Sequence, residues 1–195
     1  MLSSITPFGE RGRHNRFAVT ASAFVIGAIA GGTALGALCG ALGSLIPSRT
    51  AVVDAVIVAA LALIGALLDA TRVPTTRRQV NEDWLGRYRG WVYGLGFGVQ
   101  LGFGIVTVVT SAATYLAFAC ALLTGSVLAG AVIGFVFGAI RGLSLLLARH
   151  IDTPDELRRF HRRLDGRAAT GARLAVASQG LIGFVAVVAL IGVAA

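Results

Sequence analysis

The sequence VLAGAVIGFVFGAIRGLSLLL, residues 127–147, has a glycine at every fourth position, and the series begins one residue earlier with Ser126. Residues four apart lie on one face of an α-helix, so this spacing predicts a helix with one face nearly free of side chains. Helices in lipid use such faces to pack backbone against backbone. Two other stretches keep the spacing: Ala28, Gly32, Gly36, Gly40 and Ser44, and then Gly90, Gly94, Gly98 and Gly102. The sequence therefore predicts an all-α membrane helix bundle with glycine-zipper packing.

The composition is typical of a multi-span membrane protein. Of the 195 residues, 56% are hydrophobic and 13% are charged, and the mean hydropathy of +0.81 is above the range of soluble domains. All 17 basic residues are arginines, and they give a net charge of +8. They occur in blocks between apolar runs, where basic residues set topology and contact headgroups. The predicted partners are therefore the lipid bilayer and anionic lipid headgroups at the arginine-rich loops. Nucleic acid is excluded because the sequence offers no compact soluble basic domain.

Apolar runs follow a basic lead at residues 1–16, which we expect to stay in the cytoplasm. The runs cover residues 17–46, 51–68, 91–123, 127–149 and 168–195. As one helix, residues 91–123 would be about 50 Å long, well beyond a hydrocarbon core of about 30 Å. The run must therefore tilt strongly, break or cross twice. Hydroxyl side chains can satisfy the backbone groups that a break frees, and they mark its predicted position: Thr107, Thr110, Ser111 and Thr114.

The second basic loop, residues 150–166, contains a helix-start signal. Thr153 can act as N-cap, Pro154 suits the first helical position, and Glu156 completes a capping box. A short surface helix is predicted from this point, followed by a separate last span that begins near Ala168.

The chain also repeats itself. Residues 33–44 match residues 114–126 with one extra residue, and Gln100 and Gly104 correspond to Gln179 and Gly183. We therefore predict a first membrane repeat at residues 17–104 and a second at 105–195, each with three segments and the second inverted. Both long loops are rich in arginine, which by the positive-inside rule requires an even number of crossings between them. Six segments are predicted, with five as the alternative, in a bacterial cytoplasmic membrane with the N-terminus in the cytoplasm.

The two cysteines, Cys39 and Cys120, occupy equivalent positions of the two copies. In this respect the chain resembles the transmembrane thiol-disulfide reductases of the DsbD/CcdA type, which have two inverted three-helix halves with one cysteine in the first helix of each. In that family the cysteines adjoin prolines, whereas here they lie in ALCG and FACA. The resemblance implies that Cys39 and Cys120 pass reducing equivalents across the membrane. The residues themselves favour the alternative that each cysteine is a small apolar packing residue, because no neighbour in the sequence would activate a thiol.

Arg141 is the first candidate for a solute contact, because it lies inside an apolar helix. A charge there is costly and usually faces the bundle interior or a watery cavity. The alternative is that its long side chain snorkels to the headgroups, since Arg149 follows only two turns later. Gln100 and Gln179 can line a polar path or hydrogen-bond neighbouring helices. Thr107, Thr110, Ser111 and Thr114 can likewise line a cavity or simply pack.

No metal or cofactor site is predicted. The histidines, His14, His150 and His161, lie in polar segments and make no metal-ligand spacing with the cysteines. No phosphate loop and no nucleophile–base pair occurs, which disfavours an enzyme. Three functions remain open. The chain can be a small permease that moves a solute between its two halves, a thiol-disulfide electron carrier, or a non-catalytic subunit whose glycine faces bind a second copy or another membrane protein.

Overall fold

The computed structural model describes residues 5–47, 49–71, 84–104 and 111–194, and these residues form helices with no strand among them. Thr107 and Thr110 lie outside the described residues. The helices are α1 (Pro7–Gly12), α2 (Phe17–Ser44), α3 (Ala51–Ala70), α4 (Trp84–Arg87), α5 (Gly90–Gly102), α6 (Ala113–Leu123), α7 (Val127–Leu143) and α8 (Pro154–Ala194), with a 3₁₀ turn at Ser144–Ala148. In the described part of the chain, α2, α3, α8 and α7 extended by the 3₁₀ turn are long and apolar enough to cross a membrane. The prediction of an all-α protein with membrane-spanning helices is confirmed.

Helix α2 is the centre of the bundle, and α7 packs against it at backbone distance. A Cβ added to Gly32 would lie closer than 3.0 Å to the carbonyl oxygen of Gly134, and one added to Gly36 would meet Gly130 in the same way. Because Gly32 precedes Gly36 while Gly134 follows Gly130, the two helices are antiparallel. Any side chain larger than hydrogen at these positions would separate the two backbones.

Helix α5 packs along another face of α2 in the same manner. The glycines Gly94, Gly98 and Gly102 approach the carbonyl oxygens of Thr20, Phe24 and Ala28 in that order. The residue numbers of the contacting positions rise in the same order along both helices, so α5 runs parallel to α2. The two helices therefore begin at the same end of the bundle. We call this end, where Arg16 and Arg89 precede the two helices, the basic end.

Within the apolar run at residues 91–123, α5 ends at Gly102 and α6 begins at Ala113, so the described residues do not form one helix. Gly104 has a positive φ of 61°, which ends the helical path after α5. Thr114 lies beside Gly104, and Leu122 packs against Gly43 near the end of α2. Helix α6 therefore continues away from the basic end, in the direction of α5. We call the end of α5 at Phe103 and Gly104, together with the start of α6 at Ser111 and Ala112, the interruption.

Helix α3 contacts α8 rather than the centre of the bundle. Ala62 faces Gly183 and Gly65 faces Gln179, so these helices are antiparallel. Their outer faces are largely exposed to the surroundings, as expected of lipid-facing helices. Only the second half of α8 takes part in this contact.

Helix α8 differs from the predicted short surface helix plus separate span. It is one continuous helix of 41 residues, or about 60 Å. The two predicted pieces join because Gly166 and Gly171 are tolerated in a helix and no proline follows Pro154. The capping box is confirmed: the Thr153 hydroxyl accepts from the Glu156 amide at 3.3 Å, and the Glu156 carboxylate accepts from the Thr153 amide at 3.1 Å.

The described part of the basic lead is folded onto the bundle. Ile5 is buried with Phe24, Tyr93 and Leu145 in an apolar core at the basic end. The Phe8 amide donates to the carbonyl oxygen of Ile151, which fixes the start of α8 beside α1. The lead thus closes the end of the helix bundle.

Candidate functional site

Three polar side chains of the apolar segments, those of Asp69, Ser111 and Gln179, meet at the start of α6. Asp69, in the last turn of α3, accepts hydrogen bonds from the Ser111 hydroxyl at 2.7 Å, the Ala112 amide at 2.7 Å and the Gln179 side-chain amide at 2.6 Å. One carboxylate therefore joins α3, α8 and the start of α6. Its contact with the Ala112 amide also supplies the acceptor that a helix N-terminus needs. We call these four residues the Asp69 cluster.

Gln179 is the most buried member of the cluster. Its side chain is fully buried, and its Nε2 also donates to the carbonyl oxygen of Ala175 at 3.2 Å. Among the described residues its Oε1 has no hydrogen-bond donor. This oxygen lies against Gly65, where any Cβ would collide with it. The cluster thus offers a carboxylate and one unused carbonyl oxygen, both acceptors.

The other wall of the interruption is aromatic. The ring of Phe137 lies beside Gly104 and makes an edge contact with Phe118 at 4.9 Å between centroids. The guanidinium carbon of Arg141 lies 5.3 Å from the centroid of Phe137. Arg141 is half-buried, and within the described ranges it forms no ion pair. A cation–π contact therefore holds Arg141 against the ring that borders the interruption.

The remaining predicted residues take separate places. Thr114 is buried in the first turn of α6, beside Gly104. Gln100 is half-buried in the last turn of α5 and makes no hydrogen bond to the Asp69 cluster. Cys39 and Cys120 are both unbridged and half-buried. They lie on α2 and α6, which contact each other at Gly43 and Leu122.

A second buried carboxylate lies at the basic end. Glu10 accepts from the Tyr93 hydroxyl at 2.6 Å, the Thr20 hydroxyl at 2.8 Å and the Arg13 guanidinium at 2.7 Å, and it is fully buried. Burial by itself lowers the pKa of Arg13, but its hydrogen bonds to Glu10 and Tyr93 outweigh that effect and raise the pKa. Arg13 therefore stays charged and neutralises Glu10.

The chain is similar to two curated proteins, both named methylamine utilization protein MauF. The one from Methylophilus methylotrophus is 33% identical over 153 residues, which are 72% of this chain and 53% of that protein. The one from Paracoccus versutus is 34% identical over 113 residues, which are 57% of this chain and 41% of that protein. The chain thus spans about half the length of the curated relatives it matches. No protein-family profile and no solved structure matches the chain.

Sequence reasoning found two members of the Asp69 cluster and missed its centre. Ser111 and Gln179 stand out as polar residues within apolar runs, whereas Asp69 follows the end of its run, where a charged residue is typical of the membrane interface. The available signal was Gly65, one helical turn before Asp69, because a small residue there leaves room for a neighbouring side chain. Glu10 was missed because it lies in the basic lead, whose sequence indicates only the topology of the chain.

Proposed function

We propose that this chain is a permease-like membrane protein that moves a small solute past the interruption between α5 and α6. The observation that carries the proposal is the Asp69 cluster, which gathers a carboxylate and a buried amide where a helix in the apolar region is broken. In many secondary transporters, discontinuous helices supply the polar groups of the substrate site near the midplane. Ionisable residues among membrane helices commonly mark substrate pathways.

Five crossings fit this proposal better than six. Helices α5 and α6 follow α2 in one direction, so together they make a single interrupted crossing. Five crossings leave both arginine-rich loops on one side, in agreement with the positive-inside rule. We propose that this side is the cytoplasm of a bacterial cell and that it also holds the N-terminus.

The division into repeats at residues 17–104 and 105–195 stays a prediction. Helix α2 packs along α5, whereas their counterparts α6 and α8 share no extended contact within the described residues. Assembly with a second copy or another membrane protein through glycine faces also stays a prediction. The faces of α2, α5 and α7 already contact one another inside this chain. In our proposal, this glycine-zipper packing forms the fixed part of the permease.

The solute that fits the Asp69 cluster is a small protonated amine. The carboxylate of Asp69 and the free Oε1 of Gln179 both accept hydrogen bonds, and an alkylammonium ion carries a positive charge and only donors. The two MauF proteins are named for methylamine utilization. We therefore propose methylammonium as the solute to test first.

Uptake by vesicles tests the proposal. The full chain is reconstituted into liposomes, and entry of radiolabelled methylammonium is followed down a concentration gradient. We expect uptake above that of protein-free vesicles and a loss of about tenfold or more in Asp69→Asn, because the anionic acceptor is removed. Asp155→Asn, which neutralises an exposed carboxylate of α8, should keep full uptake. Wild-type uptake equal to that of empty vesicles, or a folded Asp69→Asn that transports normally, would contradict the proposal.

Thiol-disulfide transfer is the second candidate, as the resemblance to the DsbD/CcdA type implies. One observation favours it: both cysteines are unbridged and lie on two helices that contact each other. A disulfide requires the two Cα atoms to be within about 7 Å. Mild oxidation followed by peptide mass mapping should then yield a Cys39–Cys120 bridge. Failure to form it in the folded protein, together with unchanged function of the double serine variant, would remove this candidate.

A further inference from the structure

A pocket of about 330 Å³ opens at the basic end, between the starts of α2 and α5. Its walls include Arg16 and Arg89, the residues that immediately precede the two helices, together with His14 and Trp91. Two arginines and a histidine therefore line one cavity. The pocket lies at the N-terminal ends of α2 and α5, whereas the Asp69 cluster lies past the C-terminal end of α5. The pocket therefore forms no part of the proposed solute path.

The positions of the two arginines are unfavourable for helix stability. A helix N-terminus carries partial positive charge and prefers Ser, Thr, Asp or Asn as its N-cap. Here both N-caps are arginine, and neither arginine side chain caps its helix. The Asn15 side-chain oxygen accepts a hydrogen bond from the Gly90 amide at 3.4 Å, which satisfies one of the amides at the N-terminus of α5. An anion in the pocket would be attracted by both helix termini as well as by both guanidinium groups.

Two carboxylates described near the basic end are already paired with other residues. Glu10 lies behind Thr20 on the pocket wall, but it is fully buried and bound by Arg13, Thr20 and Tyr93. On the other side of α1, Asp152 pairs with Arg11. Among the described residues, neither Arg16 nor Arg89 forms an ion pair, so both pocket-lining arginines keep an uncompensated positive charge.

His14, which also lines the pocket, adopts a left-handed backbone conformation. Its amide donates to the carbonyl oxygen of Arg11 and the next amide, of Asn15, donates to that of Glu10. These bonds form a Schellman motif, with His14 at the left-handed position that glycine usually occupies. The φ of His14 is +57°, which a residue with a Cβ adopts only at some cost. The ring of a histidine held there can donate a hydrogen bond to a ligand in the cavity.

Trp91 indicates where the pocket lies relative to the membrane. It is about half exposed in the first turn of α5, and tryptophans of this kind mark the headgroup level. We propose that this pocket binds a phosphate group, which arginine pairs recognise well through charge-assisted hydrogen bonds. The phosphate belongs either to the headgroup of an anionic phospholipid or to free inorganic phosphate, and the experiment distinguishes the two.

Trp91 provides the measurement, because the chain has only one other tryptophan. In the variant Trp84→Phe, the fluorescence of Trp91 is titrated in detergent with short-chain phosphatidylglycerol, with the zwitterionic phosphatidylcholine and with inorganic phosphate. Saturable change with phosphatidylglycerol alone indicates a lipid site, and saturable change with inorganic phosphate indicates a free-anion site. Absence of a saturable change with either anion overturns the proposal.

Two sets of variants on the same background test the residues. Arg16→Gln with Arg89→Gln should weaken binding by about tenfold or more, since two charge-assisted contacts are lost. Arg162→Gln with Arg163→Gln removes the same charge from the exposed part of α8 and should leave binding unchanged. Equal weakening in both double variants would mean that only overall charge matters, and would refute a specific pocket.

His14→Gly separates a binding role from a structural one. Glycine relieves the left-handed strain, so the unfolding temperature should stay the same or rise. We expect binding to weaken nevertheless, because the ring is gone. A stable His14→Gly variant with unchanged affinity would show that His14 takes no part, and unchanged affinity in the arginine pair as well would end the proposal.

Discussion

Two helix contacts in this protein are built in opposite ways. Helix α2 meets α7 where side chains are missing, so that backbone lies on backbone. Helix α3 meets α8 through small residues and one polar link, from Asp69 to Gln179. The burial differs accordingly: 39% of the most apolar segment of α2 lies inside the protein, against 11% for α3 and for α8. The molecule thus has a dense centre and a loosely attached pair of helices.

This difference follows from the physics of association in lipid. Burying apolar side chains against one another gains little there, because lipid tails are equally apolar. Helices must associate through close van der Waals contact or through hydrogen bonds. The close contact of α2 with α7 depends on many atoms along both helices. It therefore cannot open at one residue while the rest stays packed. A single hydrogen-bonded link can open and close again, and in the permease that we propose the helix pair with this link borders the solute path.

The largest effect is expected from a methyl group in the dense centre. Gly134→Ala would place its Cβ closer than 3.0 Å to the carbonyl oxygen of Gly32, and a backbone atom cannot move aside. We expect a loss of about 3 kcal/mol or more in the free energy of unfolding, at or above the upper end for overpacked interiors. Unfolding with SDS in mixed micelles measures it.

Gly180→Ala is the matched control for Gly134→Ala. Gly180 is also helical, but a Cβ there meets nothing within 4 Å. Both substitutions gain the same helix propensity, about 1 kcal/mol. Gly180→Ala should therefore be neutral or slightly stabilising. Equal effects of the two substitutions would mean that α2 and α7 are not packed at backbone distance, and the contrast between the two contacts would disappear.

The second-largest loss of stability is expected from breaking the polar link between Asp69 and Gln179. Asp69→Ala leaves the amides of Ala112 and Gln179 and the Ser111 hydroxyl without their acceptor, for which we expect a loss of about 2 kcal/mol. A double-mutant cycle with Gln179→Ala should give a coupling of about 1 kcal/mol, as for other hydrogen bonds between membrane helices. The cycle of Asp69→Ala with Arg158→Ala, whose residues do not share partners, should give none. Zero coupling in the first cycle would mean that the link does not hold α3 to α8.

The sequence predicted the dense centre better than the loose pair. Glycines four apart are a local pattern, so the bare faces of α2 and α7 can be read directly from the chain. The Asp69 cluster is not local: Ser111 lies 42 residues and Gln179 lies 110 residues from Asp69 along the chain. No periodicity connects such positions. Ser111 and Gln179 could be found because polar residues are rare in apolar runs, but their meeting point required the fold.

The continuity of α8 illustrates a second limit. Helix starts have a chemical signal, and the capping box at Thr153 gave the correct residue. Helix ends without proline or a strong C-cap have little signal, so the arginine-rich and apolar parts of α8 looked like two elements. Both parts favour helix by composition, and nothing between them breaks it.

A smaller effect is expected where a methyl group meets a side chain. Gly65→Ala would collide with Oε1 of Gln179, which can move, but only by giving up its link to Asp69. The expected loss is about 1 kcal/mol, below that of Gly134→Ala because the neighbour is flexible. In the background Gln179→Ala the same substitution should become neutral. A loss that persists without the glutamine would show that Gly65 is required for some other contact.

The smallest effect is expected from replacing an N-cap residue, once on a helix of the dense centre and once on a helix of the loosely attached pair. Ser126 caps α7 in the dense centre, accepting from the Ala129 amide at 3.4 Å, and Thr153 caps α8 where that helix is exposed. Replacing an N-cap by alanine typically costs about 1 kcal/mol locally. Ser126→Ala should lower the free energy of global unfolding by up to about that amount, because α7 cannot fray without separating from α2. Thr153→Ala should leave global unfolding unchanged and speed hydrogen exchange only in the first turn of α8. If Thr153→Ala lowered global stability as much as Ser126→Ala, the first half of α8 would have to be packed against the bundle, and the loose region would be confined to α3.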